Sequence, residues 1–332
     1  MSHLVNFYSP LVRLPTLMPG QFGVPGTDET TGLRQSVEGT IYYVDPNYPG
    51  ATTTADGTLP TNPLSTVAAA MTRVQPYHGD VIAVMASNAW GNSYGYGRLA
   101  DGMLLPIAEN VIVDVPGVRI VGVAPASSNG VVWVPATDGG TCITVTACDV
   151  LIEGFFFDEG PQTGCDAIDA IWDGTTAWGD NLTVRNCVFS DTVDTAIDLD
   201  FAYYVNIYNC VFWDCDARGI YCDPAGSASA FCNIHDNIFH DCATGAISMV
   251  EATDNHIYRN SIYNSAAIGA LAAANLGINL GSGGDNQVFD NWLSCILPAA
   301  ANGDYNDFNS GGAGDAWINN HCANGDATIN PT

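Results

Sequence analysis

The sequence predicts an all-β solenoid of parallel strands, and three observations carry the prediction. First, a short motif recurs. Val184-Arg185-Asn186-Cys187-Val188-Phe189 is answered by Ile207 to Phe212, by Ile234 to Phe239 and by Ile257 to Ile262. Looser copies run from Ile152 to Phe157 and from Val288 to Leu293, and Ile120-Val121-Gly122 reads as an earlier one. Second, the motif is constant but its spacing is not. The lead residues 120, 152, 184, 207, 234, 257 and 288 are 32, 32, 23, 27, 23 and 31 apart. Repeats of about 20 to 50 residues mark solenoids, in which strands stay in register while the loops between them vary. Third, the repeats are β-branched and rich in Asn and Gly. With six Glu and no Lys in 332 residues, stacked helix pairs are excluded.

Each element follows from its columns. Counted from each lead residue as zero, position five reads Phe157, Phe189, Phe212, Phe239, Ile262 and Leu293, an inward apolar stack. Position three reads Phe155, Cys187, Cys210, Asn237, Asn260 and Asn291, a turn where Asn amides can bond along the column. A later strand places Ile197, Ile220, Ile247 and Ala270 at position thirteen and Leu199, Cys222, Met249 and Ala272 at fifteen. Both face inward, so Asp198, Tyr221 and Ser248 between them face out. Before the repeats, Thr40 to Asp45 reads as a strand. Ser65 or Thr66 caps a short helix from Val67 to Met71, and Val81 to Met85 is the next strand. That helix is expected to plug the open end of the first coil, whose strand edges and core need a cover.

This pattern resembles the right-handed parallel β-helix of the pectate-lyase-like superfamily over about residues 40 to 320. The resemblance implies an all-β, right-handed single-stranded parallel β-helix with a short N-terminal capping helix and an extended N-terminal arm. The expected divisions are 1–39 for the arm, 40–110 for the cap and first coils, 111–298 for the regular coils and 299–332 for a last coil and tail. The opening of strand, Asp56-Gly57 loop, Ala-rich helix and Gly79-Asp80 strand resembles that of many phage-encoded β-helix proteins.

Charge narrows the partners. The net charge is -27, from 35 acidic residues against eight Arg. Nucleic acid and anionic membranes need clustered Lys and Arg, so neither is expected as a partner. Dense anionic polysaccharide is repelled as well. Met1 to Pro15 has neither a basic start nor a sustained apolar run, so no secretory leader is expected. The eleven Cys fall mostly at core and turn columns, as in Cys187 over Cys210 and Cys215 over Cys242. They are read as mostly free thiols that fill a narrow core. The arm, residues 1–39, matches no repeat. It carries Leu4, Phe7, Tyr8, Leu11, Leu14 and Phe22 between Pro10, Pro15, Pro19 and Pro25. These side chains are expected to pack on another subunit or on a shell protein; the alternative is that they pack on the chain's own solenoid.

No catalytic residue is expected: Asp198, Asp200 and Asp223 read first as solvated surface acids, with a catalytic group as the alternative. Asp198 and Asp200 share a strand face about 6.6 Å apart, and Asp223 is expected one coil beyond Asp200. The resemblance extends to inverting polygalacturonases, which use Asp residues on adjacent coils. Their His-Gly and Arg-x-Lys elements are missing here, as is the Arg-x-Pro-x-x-Arg of pectate lyases. The same three Asp are the alternative for a calcium site; otherwise no metal or cofactor is expected. Trp172, Trp178, Trp213 and Tyr221 are candidates to line a saccharide groove. His235, His240 and Asp241 read as a structural contact at a turn. The function expected first is non-enzymatic: a phage virion protein, either a capsid decoration or cement protein or an appendage. It is expected as a homotrimer that engages a major capsid protein through the arm. The alternatives are a tailspike-type polysaccharide depolymerase (glycoside hydrolase or lyase) and a module that binds surface glycan.

Overall fold

The computed structural model describes residues 39–85, 106–123, 131–158, 164–172, 179–192, 194–222, 229–264, 276–281, 283–295, 308–310 and 314–322. The expected arm, with Leu4, Phe7, Tyr8, Leu11, Leu14 and Phe22, lies outside them, as do Asp223, Trp178, Ala270 and Ala272.

The described strands form three parallel sheets of ten, nine and eight strands. One coil visits each sheet once. Thr183–Arg185 lies in sheet one, Val188–Ser190 in sheet two and Thr195–Leu199 in sheet three; Asn206–Tyr208 then returns to sheet one. Every strand pairs with its equivalent one coil on, so the repeat in the sequence becomes a column in space. In sheet one the buried column runs Ile82, Ile120, Ile152, Val184, Ile207, Ile234, Ile257, Val288 and Trp317. In sheet two it is Phe157, Phe189, Phe212, Phe239, Ile262 and Leu293, as expected. The consecutive Phe rings stack at 5.1, 4.8 and 4.4 Å, close to the spacing of paired strands. Trp133 lies 6.2 Å from Phe157 and closes the stack towards the N-terminal coils.

Sheet three requires a correction. Ile168, Ile197, Ile220 and Ile247 share a column, but Ile278 follows, not Ala270. The coil after Ile257 spends more residues in its loop, so counting from the lead residue slips by eight. A fixed offset holds only where the loops between sheets two and three are equal.

The turns explain the Asn and Asp content. Between sheets one and two, Asn186, Asn209, Asp236, Arg259, Asp290 and Asn319 all adopt positive φ, from 53° to 57°. After sheet two, Asp191, Asp214 and Asp241 do the same. Asn and Asp tolerate this left-handed conformation better than other side chains with a Cβ. The next turn position is buried and holds an amide ladder. Asn237, Asn260 and Asn291 each donate Nδ2–H to the Oδ1 of the next Asn, the last being Asn320, at 3.0 to 3.1 Å. Each also donates to a backbone carbonyl of the preceding coil at 2.9 Å. Each Oδ1 in turn accepts the backbone N–H at the same turn position one coil earlier, from Cys210, Asn237 and Asn260. The ladder thus pairs both donors and the acceptor of every interior amide, as burial requires.

At the N-terminal end the helix Val67–Met71 buries Val67, Ala70 and Met71. Thr66 Oγ1 caps it by accepting the Ala69 N–H at 3.1 Å. Glu109 adds a carboxylate that accepts from the Val67 and Ala68 amides, where the helix dipole favours a negative charge. Of the nine cysteines whose side chains are described, none forms a disulfide and eight are buried.

Candidate active site on the third sheet

The inward residues of sheet three leave one outward column: Ile112, Thr144, Asp169, Asp198, Tyr221, Ser248, Asn279 and Asn309. Asp198 was expected on this face. Asp169 was not, although it stands in register beside Asp198 one coil earlier, at about the 4.8 Å strand spacing. A local signal was available. Ala167-Ile168-Asp169 repeats as Ala196-Ile197-Asp198. It was hidden because these strings sit at different offsets from their lead residues.

Asp200 follows Asp198 at the strand end, and its N–H continues the pairing by donating to the Ala170 carbonyl at 2.8 Å. Asp166 accepts the Thr195 N–H at 3.0 Å and faces the same group. Asp198 Oδ1 and Asp200 Oδ1 are both buried and have no hydrogen-bond partner. Carboxylates withdrawn from water beside one another hold their protons more tightly. Burial, then the charges of Asp166 and Asp169, push Asp198 up to about 8. Burial, then Asp166 and Asp200, push Asp169 up to about 7. Burial also raises Asp166, to about 6. These protons belong to a coupled group rather than to single side chains.

One coil beyond Asp198, the Arg218 guanidinium lies 4.1 Å from the centre of the Tyr221 ring. A cation and an aromatic therefore border the carboxylates. Trp172, at the end of the Asp169 strand, meets Phe201 edge-on at 5.7 Å. Trp213 is a correction to the expected groove. It lies in sheet two, stacked 4.4 Å from His240, and so cannot share a face with Tyr221. His235 and His240 sit at the turn after sheets one and two respectively. His235 bonds Asp236 at 2.7 Å, and Asp236 also takes two bonds from Arg259. His240 Nδ1 lies 3.0 Å from Asp241. Among the described residues no three His, Cys, Asp or Glu side chains are arranged to hold a metal ion, and no helix is long and apolar enough to cross a membrane.

The sequence model described as "right handed beta helix region" matches residues 130–293, the coils from Val131 to Leu293. The chain is a right-handed parallel β-helix. This β-helix is similar to the GH136 lacto-N-biosidase from Eubacterium ramulus, at 14% identity and a TM-score of 0.58, over 85% of this chain and 56% of that one. It therefore spans little more than half the length of that enzyme. It is also similar to a rhamnogalacturonan lyase, at 13% identity and a TM-score of 0.48, over 77% of this chain and 68% of the other. Dettilon tailspike protein gives 12% identity and a TM-score of 0.30, over 94% and 73%. At 14% identity the likeness to the lacto-N-biosidase is one of fold. No curated protein matches the sequence significantly.

Proposed function

We propose that the β-helix is a polysaccharide depolymerase of the tailspike type that hydrolyses glycosidic bonds on sheet three. The observation that carries the reading is the group of carboxylates in register, Asp169 and Asp198, with Asp200 completing it and two buried oxygens without partners. Asp198, raised to about 8, holds its proton at neutral pH and is the general acid. It gives that proton to the glycosidic oxygen as the bond to the anomeric carbon breaks. Asp200 receives a proton from the attacking water, whose hydroxyl joins the anomeric carbon. The two stand about 6.6 Å apart by strand rise, which suits inversion with a water between the carboxylates. Asp166 and Asp169 act through Asp198, by holding its proton in place. Neutral glycans suit a surface this acidic.

The test is reducing-sugar release from dextran, laminarin, xylan, chito-oligosaccharides, pectin and alginate. Cleavage of a neutral glycan that is lost in Asp198→Asn and falls as pH rises past about 8 is the expected result. No release from any of them overturns the reading.

A second reading keeps the chain as a structural virion protein, a homotrimeric decoration or appendage attached through its arm. What favours it is the outer face of sheet two. From Val188 to Trp292 its two outward columns carry no Asp, Glu or Arg. Trp213, Ile238 and Trp292 are 49%, 44% and 50% exposed there. An uncharged strip on a chain of net charge -27 suits packing beside another copy. Sedimentation as a monomer removes this reading.

A further inference from the structure

The turn that leads from sheet three back to sheet one contains a third column of left-handed residues. It reads Asp149, Asn181, Tyr204, Phe231, Asp254 and Asp285, with φ between 54° and 61°. Four of the six are Asn or Asp, the side chains that tolerate this conformation. Tyr204 and Phe231 are neither. A bulky aromatic at positive φ is a conformational outlier, so the turn is strained there twice in succession. The rings do not recover that cost by burial, since Tyr204 is 55% and Phe231 44% exposed. They stack on each other instead, with centroids 5.2 Å apart and planes 12° apart.

Position ties them to the carboxylates. Tyr204 is four residues beyond Asp200 in one turn, and Phe231 is its counterpart one coil on, next to the bridge between Tyr203 and Ala230. The fold does not require these two aromatics, because neighbouring coils make the same turn with Asn or Asp. Strain held by solvent-facing side chains four residues along the chain from Asp200 is the pattern of a functional position.

We infer that Tyr204 and Phe231 form a ledge that holds a neutral saccharide against the carboxylates of sheet three. The inference rests on the depolymerase reading above and names the positioning residues of that site. The paired rings offer an apolar surface about one pyranose long for the C–H face of a sugar, and the Tyr204 hydroxyl adds a hydrogen-bonding group. A sugar seated there places the next glycosidic bond towards Asp198 and Asp200.

The test replaces the rings with the residues the column itself prefers, as Tyr204→Asn with Phe231→Asn. That pair relieves the turn, so the melting temperature should rise by a few degrees. At the same time the retardation of the protein in gels cast with dextran, laminarin, xylan or chito-oligosaccharide should weaken at least tenfold. KM for any of them that is cut should rise by a similar factor, with little change in kcat. Tyr204→Phe should keep most of the binding. Weaker retention together with higher stability supports the ledge. Unchanged retention and KM, while Asp198→Asn still abolishes cleavage, overturns the ledge and leaves the depolymerase reading intact. No retention or cleavage by the unaltered chain overturns both. A shift in sedimentation instead of in glycan binding overturns the ledge by giving the rings to a second copy.

Discussion

Two polar columns of this molecule have the same geometry and opposite energetics. The amide column Asn237, Asn260, Asn291 and Asn320 and the acidic pair Asp169 and Asp198 both repeat at the spacing of one coil. An amide carries donor and acceptor together, so each Asn satisfies the next and the column closes on itself. A carboxylate only accepts. Stacking carboxylates therefore adds repulsion and leaves oxygens without partners, as at Asp198 and Asp200. The amide ladder gives up nothing for its position and reads as architecture. The acidic group is destabilising where it stands, and folded proteins keep such groups mainly where chemistry or binding needs them.

The largest effect should come from carrying the acidic pattern into the ladder. Asn260→Asp removes the amide that donates to Asn291 Oδ1 and to the Ile234 carbonyl. It also places a charge in a fully buried site. Unfolding free energy should fall by about 4 to 5 kcal/mol at pH 7. The loss should shrink towards pH 4 as the new carboxyl takes up a proton. Chemical denaturation at the two pH values measures it, and a change below about 1 kcal/mol would mean that the ladder is not the closed network described.

An apolar column provides the reference for both polar ones. Phe212 is fully buried and stacks between Phe189 and Phe239 at 4.8 and 4.4 Å. Phe212→Ala should cost about 3 to 5 kcal/mol, mainly from the cavity between rings that cannot close up. Unlike the ladder variant, its cost should not depend on pH. That contrast separates loss of packing from loss of polar pairing.

The ladder and the Phe column were legible in the sequence because Cys210-Val211-Phe212 and Asn237-Ile238-Phe239 keep one spacing from their lead residues. What was hidden follows from loop length. Ile82 and Trp317 belong to the sheet-one column, but the chain around each is too irregular for the motif to be counted onto it. Ala270 and Ala272 were placed in sheet three by counting, where pairing puts Ile278. Asp169 was missed for the same reason, since register across coils is a three-dimensional property. Asp198 and Asp200 could be chosen from their i, i+2 spacing alone. Their proton affinity could not, because it comes from burial and from Asp166 and Asp169 one coil away.

The smallest expected effect has the opposite sign. Asp198 titrates near 8 in the folded chain, against about 3.9 for an unfolded aspartate. Between those values the folded state holds a proton that the unfolded state has lost. By linkage, stability therefore falls as pH rises from about 4 to about 8, and then levels off. Asp198→Asn removes the titration while keeping the size of the side chain. Below about pH 4 the variant and the parent should be equally stable, because the carboxyl is neutral in both states. At pH 8 the variant should be more stable by about 2 to 4 kcal/mol, a figure reduced for the part of the side chain that water still screens. Denaturant melts of parent and variant across pH 4 to 8 measure this. Parallel stability curves would mean that Asp198 is solvated and that its carboxylate is ordinary. A gain in stability together with loss of saccharide cleavage would place both effects on the same proton.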